Sequence, residues 1–289
     1  METIVRFGPG ARLIGVLTGS GLPAEAPVLV LPNSGLVPRA GPFRLYVELA
    51  RRMAMLGVRT FRFDLPGVGE SSRGPGLDYR EATLAALEQL RAQSPGARFA
   101  VGGICSAADL GWMAALSHES VSAVVMLDGM CYAGPWFHLA RLGEMLRRGP
   151  RRWMAGVARR VFRRNRGGGE PHRPMDLRNW PPLETLREQM AALLARDVRF
   201  LCIFSGGVGD YFLDARQFGW TFGPAARDPR VKLHHWPDCD HTYFARAHRE
   251  RLLQTLAAWL TEDAFPGASV PSPCPRPVAA SPRASERMI

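Results

Sequence analysis

The sequence contains no run of about eighteen or more uncharged apolar residues, so no membrane-spanning helix is expected. Its first residues, Met1-Glu2-Thr3-Ile4-Val5-Arg6, lack the basic stretch followed by an apolar one that marks a secretory signal. No two cysteines stand in a Cys-x-x-Cys pair. The five present, Cys105, Cys131, Cys202, Cys239 and Cys274, are odd in number and irregularly spaced, which argues against a disulfide framework and against a zinc site. A reducing cytoplasm is the expected compartment. No Gly-x-Gly-x-x-Gly opens a helix, so no dinucleotide fingerprint is present. No cofactor, internal repeat or nucleic-acid motif is read. Lysine is nearly missing: Lys232 is the only one, and the formal net charge of +11 rests on dispersed arginines. That skew, alongside many Ala, Gly and Pro, reads as codon bias rather than as the signature of a nucleic-acid partner.

What is present is an α/β pattern. With 289 residues, 46% of them hydrophobic, the chain can bury one large core. Short apolar runs alternate with helical periodicity, as in a mostly parallel sheet covered by helices. Eight strands are expected, at residues 3–7, 12–18, 27–31, 58–63, 98–103, 121–127, 198–204 and 231–236. Leu45, Leu49 and Met53 share one helical face, as do Leu252, Leu256, Trp259 and Leu260. Between Cys131 and Val198 the alternation stops. Residues 131–197 are expected to form a helical lid over the C-terminal ends of the strands, where open α/β sheets bind ligands. A basic cluster, Arg151 to Arg166, lies within it. The domain is expected to span 1–264, and the Pro-, Ser- and Ala-rich residues 265–289 to form a disordered tail.

The most informative segment is Phe99-Ala100-Val101-Gly102-Gly103-Ile104-Cys105-Ser106-Ala107. An apolar strand runs into a sharp turn and then a helix. A nucleophile presented on such a turn needs small residues two before and two after it. Centring on Cys105 puts Gly103 and Ala107 there; centring on Ser106 puts Ile104 and Ala108 there, and the β-branched Ile104 would crowd the turn. Cys105 is therefore the expected nucleophile, its thiolate favoured by the helix N-terminus. The bland alternative is an inert cysteine in a tight turn. The Ser106 N–H would be one oxyanion donor, and Ser34 or Gly35, in the loop after the third strand, would supply the other. In that loop Arg39 and Arg44 either anchor the chain or bind an anionic substrate, and anchoring is the better reading.

His241, in the loop between the last strand and the last helix, is the expected base. Asp210 follows the seventh strand on a Gly-rich turn and is the expected acid, orienting the imidazole. Asp214 and Asp128 are the alternatives, Asp128 because some members of such folds carry the acid after the sixth strand. His234 and His235 lie within a strand and are assigned to the sheet.

Taken together, Asn33-Ser34-Gly35 with Arg39-x-Gly41-Pro42-x-Arg44, Arg62-Phe63-Asp64-x-x-Gly67-x-Gly69-x-Ser71, Gly103-x-Cys105-Ser106-Ala107 and Asp240-His241-Thr242 resemble the α/β-hydrolases, in the branch with serine-aminopeptidase-like and exosortase-system-associated hydrolases. The resemblance covers roughly residues 3–262, with the insertion least matched. It implies the α/β-hydrolase fold and acyl chemistry. The usual nucleophile of the family is serine in Gly-x-Ser-x-Gly; here the position holds cysteine, as in relatives such as dienelactone hydrolase. The expected function is hydrolysis of an ester or thioester through a covalent acyl-enzyme, with acyl transfer on the same fold as an alternative. The Trp and Met content of the insertion suggests an apolar acyl group, and its arginines suit a phosphate-bearing carrier arm. The competing readings are a non-catalytic binding module, and a nucleic-acid or membrane-surface protein acting through Arg151 to Arg166.

Overall fold

The computed structural model describes residues 1–147, 178 and 180–267. Eight strands form one sheet: β1 (Glu2–Phe7), β2 (Leu13–Thr18), β3 (Val28–Pro32), β4 (Arg59–Phe63), β5 (Phe99–Ile104), β6 (Val121–Leu127), β7 (Arg199–Ser205) and β8 (Val231–Trp236). Their spatial order is β1-β2-β4-β3-β5-β6-β7-β8. β2 runs antiparallel to both of its neighbours, β1 and β4, and every other pairing is parallel. All eight expected strands are present, with ends displaced by only a residue or so. The described helices are α1 (Leu45–Met55), α2 (Tyr79–Gln93), α3 (Ser106–Ser117), α4 (Pro135–Arg147), α5 (Leu183–Ala195), α6 (Arg216–Phe222) and α7 (Arg246–Trp259).

The central strands are apolar throughout because both faces of the sheet are covered. In β3, Val28 and Val30 point into one core with α2, α3, α5 and α6, while Leu29 and Leu31 point into the other with α1 and α7. This period-two division continues across β5, where Val101 joins the first core and Ala100 and Ile104 the second. The chain leaves β3 for β4 on one side and later returns to β5 on the other. The loops after β3 and β5 therefore flank the reversal of strand order, where open α/β sheets place ligands.

Two expected boundaries shift. α5 was expected within the inserted lid, but Leu186, Met190, Leu193 and Leu194 bury its apolar stripe in the sheet core just before β7. Phe265, expected at the start of the tail, is fully buried against the second core, with the Arg98 guanidinium over its ring. The rest of the expected tail from residue 268 lies outside the described residues, as does the basic cluster from Arg151 to Arg166. Among the described residues no helix is long and apolar enough to cross a membrane, and no cluster of His, Cys, Asp and Glu is arranged to hold a metal.

Candidate active site

Cys105 stands between β5 and α3 as the helix N-cap, with φ 58° and ψ −120°. A positive φ in a non-glycine residue is uncommon and strained. The neighbouring sequence makes it possible. A Cβ on Gly103 would lie 2.4 Å from the Tyr46 hydroxyl and 3.1 Å from the Ala107 Cβ. That hydroxyl is fixed because it accepts the Ile104 N–H at 2.9 Å. Small residues two before and two after Cys105 are thus demanded by contact as well as by the turn. The sulfur is half-buried, whereas Cys131, Cys202 and Cys239 are buried.

His241 reaches the same place from the loop after β8. Its ring and the Cys105 side chain interact electrostatically, each shifting the other's pKa. On its other side, Nδ1–H donates to Asp128 Oδ2 at 2.7 Å. The carboxylate that partners His241 is therefore Asp128, the third alternative from the sequence, and not Asp210. Asp210 is exposed on the turn after β7, and Asp214 is paired with Arg216 at 2.6 Å. Asp128 is fully buried, with φ 54°, immediately after β6. It also accepts the Ser205 N–H at 2.6 Å and the Ser205 hydroxyl at 2.7 Å, so its two oxygens meet three donors. The Gly-rich turn after β7 has a different task from carrying the acid. A Cβ on Gly207 would lie 2.3 Å from the His241 backbone nitrogen, so glycine lets the histidine loop close over β7.

The electrostatics follow from these contacts. The His241 pKa is pushed up to about 9, first by its hydrogen bond to Asp128 and then by its interaction with Cys105, against the effect of burial. For Cys105, burial favours the neutral thiol. The interaction with His241, the charge of Arg178 and the Ser106 N–H outweigh it and hold the thiol below its ordinary value. The arrangement favours a thiolate beside an imidazolium.

The loop after β3 meets the turn from above. Gly35 N–H donates to Ser106 Oγ at 3.1 Å, so the Gly35 donor and the first residue of α3 converge. Ser34 instead pairs with Val37 in a local turn. Buried Asn33 pins the loop, donating to Gly35 O at 2.8 Å and accepting Leu65 N–H at 2.6 Å. Arg39 anchors it further, through its backbone N–H to Asp64 at 2.7 Å and its guanidinium to Asp64 and Glu70. Ser71 completes the brace by donating to Asp64 O at 2.6 Å. The Arg62-to-Ser71 motif therefore supports the loop. Asp240 does the same for the histidine loop, accepting N–H groups of Thr242 and Phe244 at 2.9 Å each.

Two residues not anticipated from the sequence, Arg178 and Tyr211, stand beside the sulfur, and a third, Asp109, stands behind Arg178. Arg178 Nη1 lies 3.9 Å from Cys105 Sγ and 3.3 Å from the Tyr211 hydroxyl, and the other edge of the guanidinium is paired with Asp109. A cleft of about 660 Å³ opens here, lined by Gly35, Ser106, Asp109, Leu110, Met113 and Arg178 among others.

Comparison with known proteins agrees with this architecture. The family model described as the alpha/beta hydrolase fold matches residues 27–179, just over half of the chain. The chain belongs to the α/β-hydrolase family. Among solved structures, it resembles the esterase of Pyrococcus furiosus, with a TM-score of 0.58 and 13% identity over 91% of each chain. A putative α/β hydrolase of unknown function from Agrobacterium tumefaciens gives a TM-score of 0.54 at 12% identity, over 90% of this chain and 94% of the other. The esterase domain of a Rhodothermus marinus protein gives 0.52 at 17% identity, over 90% and 97%. At these identities the likeness is one of fold. No curated protein sequence matches the chain.

Proposed function

We propose that this α/β-hydrolase cleaves an ester or thioester by covalent catalysis, with Cys105 as nucleophile, His241 as base and Asp128 as the acid that orients it. We assign it to the serine-aminopeptidase-like and exosortase-associated branch on the motifs given above. The observation that carries the reading is the convergence of Asp128, hydrogen-bonded to His241 Nδ1 at 2.7 Å, and Cys105, which interacts electrostatically with the same ring, from three loops at the ends of β6, β8 and β5. The strained backbone at Cys105 supports it, since such strain concentrates at working residues.

In this mechanism the thiolate adds to the acyl carbonyl and an S–C bond forms. The carbonyl π pair moves onto oxygen, which is received by the Ser106 N–H and by the Gly35 N–H as it turns from Ser106 Oγ. Collapse breaks the bond to the leaving group, which takes a proton from His241 Nε2. Water then gives a proton to the neutral His241 and adds to the thioester. The acid departs, and the thiolate and imidazolium are restored. The cleft beside Ser106 combines apolar Leu110 and Met113 with Arg73, Arg80 and Arg178, which suits an apolar acyl group on a small-molecule or carrier-linked substrate.

The test is turnover of short p-nitrophenyl esters and acyl thioesters, followed by mass spectrometry of acid-quenched enzyme. An acyl adduct on the Cys105 peptide, lost together with activity in Cys105→Ala, is expected. Full activity in Cys105→Ala would overturn the assignment. Adding an alcohol or thiol acceptor then distinguishes transfer from hydrolysis by the product formed.

A further inference from the structure

Arg178 is held more rigidly than a surface arginine needs to be. Its side chain is 11% exposed and that of Asp109 15%. Nε donates to Asp109 Oδ2 at 2.6 Å and Nη2 to Asp109 Oδ1 at 2.9 Å, the bidentate geometry that fixes a guanidinium plane. Trp180 Nε1 adds a third donor to Asp109 at 3.2 Å, and the Trp180 ring lies 4.9 Å from the guanidinium carbon. With two nitrogens engaged, Nη1 is turned toward Cys105 Sγ at 3.9 Å and the Tyr211 hydroxyl at 3.3 Å. Tyr211 in turn donates to the Asp128 carbonyl at 2.8 Å, tying this side of the site to the residue behind His241. Asp109 lies four residues after Cys105, one turn along α3.

We propose that Arg178 is a second catalytic cation beside His241, holding Cys105 as a thiolate, with Asp109 as its positioning residue. This rests on Cys105 being the nucleophile. A serine hydroxyl carries no charge before substrate arrives and would gain little from a fixed cation; a thiolate is charged at rest and gains from it throughout. The groups facing the sulfur are His241, Arg178, the Ser106 N–H and the hydroxyls of Tyr46 and Tyr211, and the Asp128 and Asp109 carboxylates stand one behind each cation. The charge of Arg178 lowers the Cys105 pKa, in agreement with the geometry. When sulfur is acylated its charge leaves with the new bond, while Arg178 keeps Asp109 as a partner and neither gains nor loses a proton.

The experiment is the pH dependence of iodoacetamide alkylation, read on the Cys105 peptide of the full-length chain. Wild type is compared with Arg178→Gln, Arg178→Lys and Asp109→Asn, each first checked for a cooperative thermal transition. Loosened packing would raise the rate at every pH without moving the midpoint, so the midpoint is the readout. An opposite charge at this range shifts a pKa by about one unit or more. The midpoint should therefore rise by about one pH unit in Arg178→Gln, with the lysine variant between it and wild type and Asp109→Asn displaced the same way. Should Arg178→Gln fail to fold, the other two variants decide. A wild-type midpoint in whichever variants fold overturns the proposal. Alkylation needs no turnover. A shifted midpoint in a protein inert to esters and thioesters would sink the hydrolase reading alone, whereas normal turnover with an unmoved midpoint would sink the role of Arg178 alone.

Discussion

Replacing Asp128 by asparagine keeps the shape of the side chain and removes what His241 needs from it. Asp128 Oδ1 accepts the Ser205 N–H, so an asparagine at this position would keep its oxygen there and turn its NH₂ toward Ser205 Oγ and His241 Nδ1. Nδ1 would then have to accept, which places the imidazole proton on Nε2, facing the sulfur. A ring in that tautomer cannot take the thiol proton, and the imidazolium loses the carboxylate that raises its pKa to about 9. For triads whose acid is changed in this way the loss in turnover is on the order of 10⁴. A partly preformed thiolate softens the dependence, so kcat/KM should fall on the order of 10³ to 10⁴, or about 4–5.5 kcal/mol in the barrier. Asp210→Asn, on an exposed turn, should stay within about twofold of wild type, as surface changes away from such networks do. Steady-state kinetics on one ester substrate compares the two. An Asp128→Asn enzyme within tenfold of wild type, or a collapse in Asp210→Asn, would refute the reasoning from the Asp128–His241 bond.

Gly103→Ala should cost about 1–3 kcal/mol of overpacking, read as a lower urea midpoint, because the new Cβ meets the Tyr46 hydroxyl at 2.4 Å. In a Tyr46→Phe background that cost should shrink, since the offending oxygen is gone. Between about pH 6.5 and 8.5 the raised imidazole pKa makes stability fall with rising pH and the lowered thiol pKa makes it rise, so in wild type the two slopes should oppose each other across the window. In Cys105→Ala the thiol slope is gone and only the part of the imidazole shift due to Asp128 remains. Its contribution is complete below about pH 6.5 and lost as the pH rises through the folded value, so the variant's urea midpoint should fall relative to wild type toward pH 9.

The sheet was readable in the sequence because buried parallel strands are continuous apolar runs that end at Gly, Pro or polar residues. The sharp strand-to-helix turn at Cys105 was readable because its constraint is local: Gly103, Cys105 and Ala107 lie within five residues of one another. The carboxylate partner of His241 was misread for a related reason. A Gly-rich turn followed by aspartate after β7 resembles a loop that presents a carboxylate, but Gly206 and Gly207 are there for close approach, to Pro237 O at 2.1 Å and to the His241 nitrogen at 2.3 Å if each carried a Cβ. The usable signal lay in Leu127-Asp128-Gly129, an aspartate directly at the end of a fully apolar strand, where its short polar side chain tolerates the positive φ of 54°.

Arg178 left no such trace. Its partner Asp109 is 69 residues away, beyond β6 and α4, and an arginine in so arginine-rich a chain carries no distinction of its own. Asp109 was equally silent, since an acid in the first turn of α3 reads as an ordinary response to the helix dipole. Only their meeting beside Cys105 gives either residue a meaning beyond local structure. A change of nucleophile from hydroxyl to thiol is written in one codon, whereas the cation that would make the thiol effective is written far from it. Chains of this family with cysteine at the turn are therefore best compared with their serine relatives by what faces the sulfur in space, since the motif around the nucleophile is nearly the same in both.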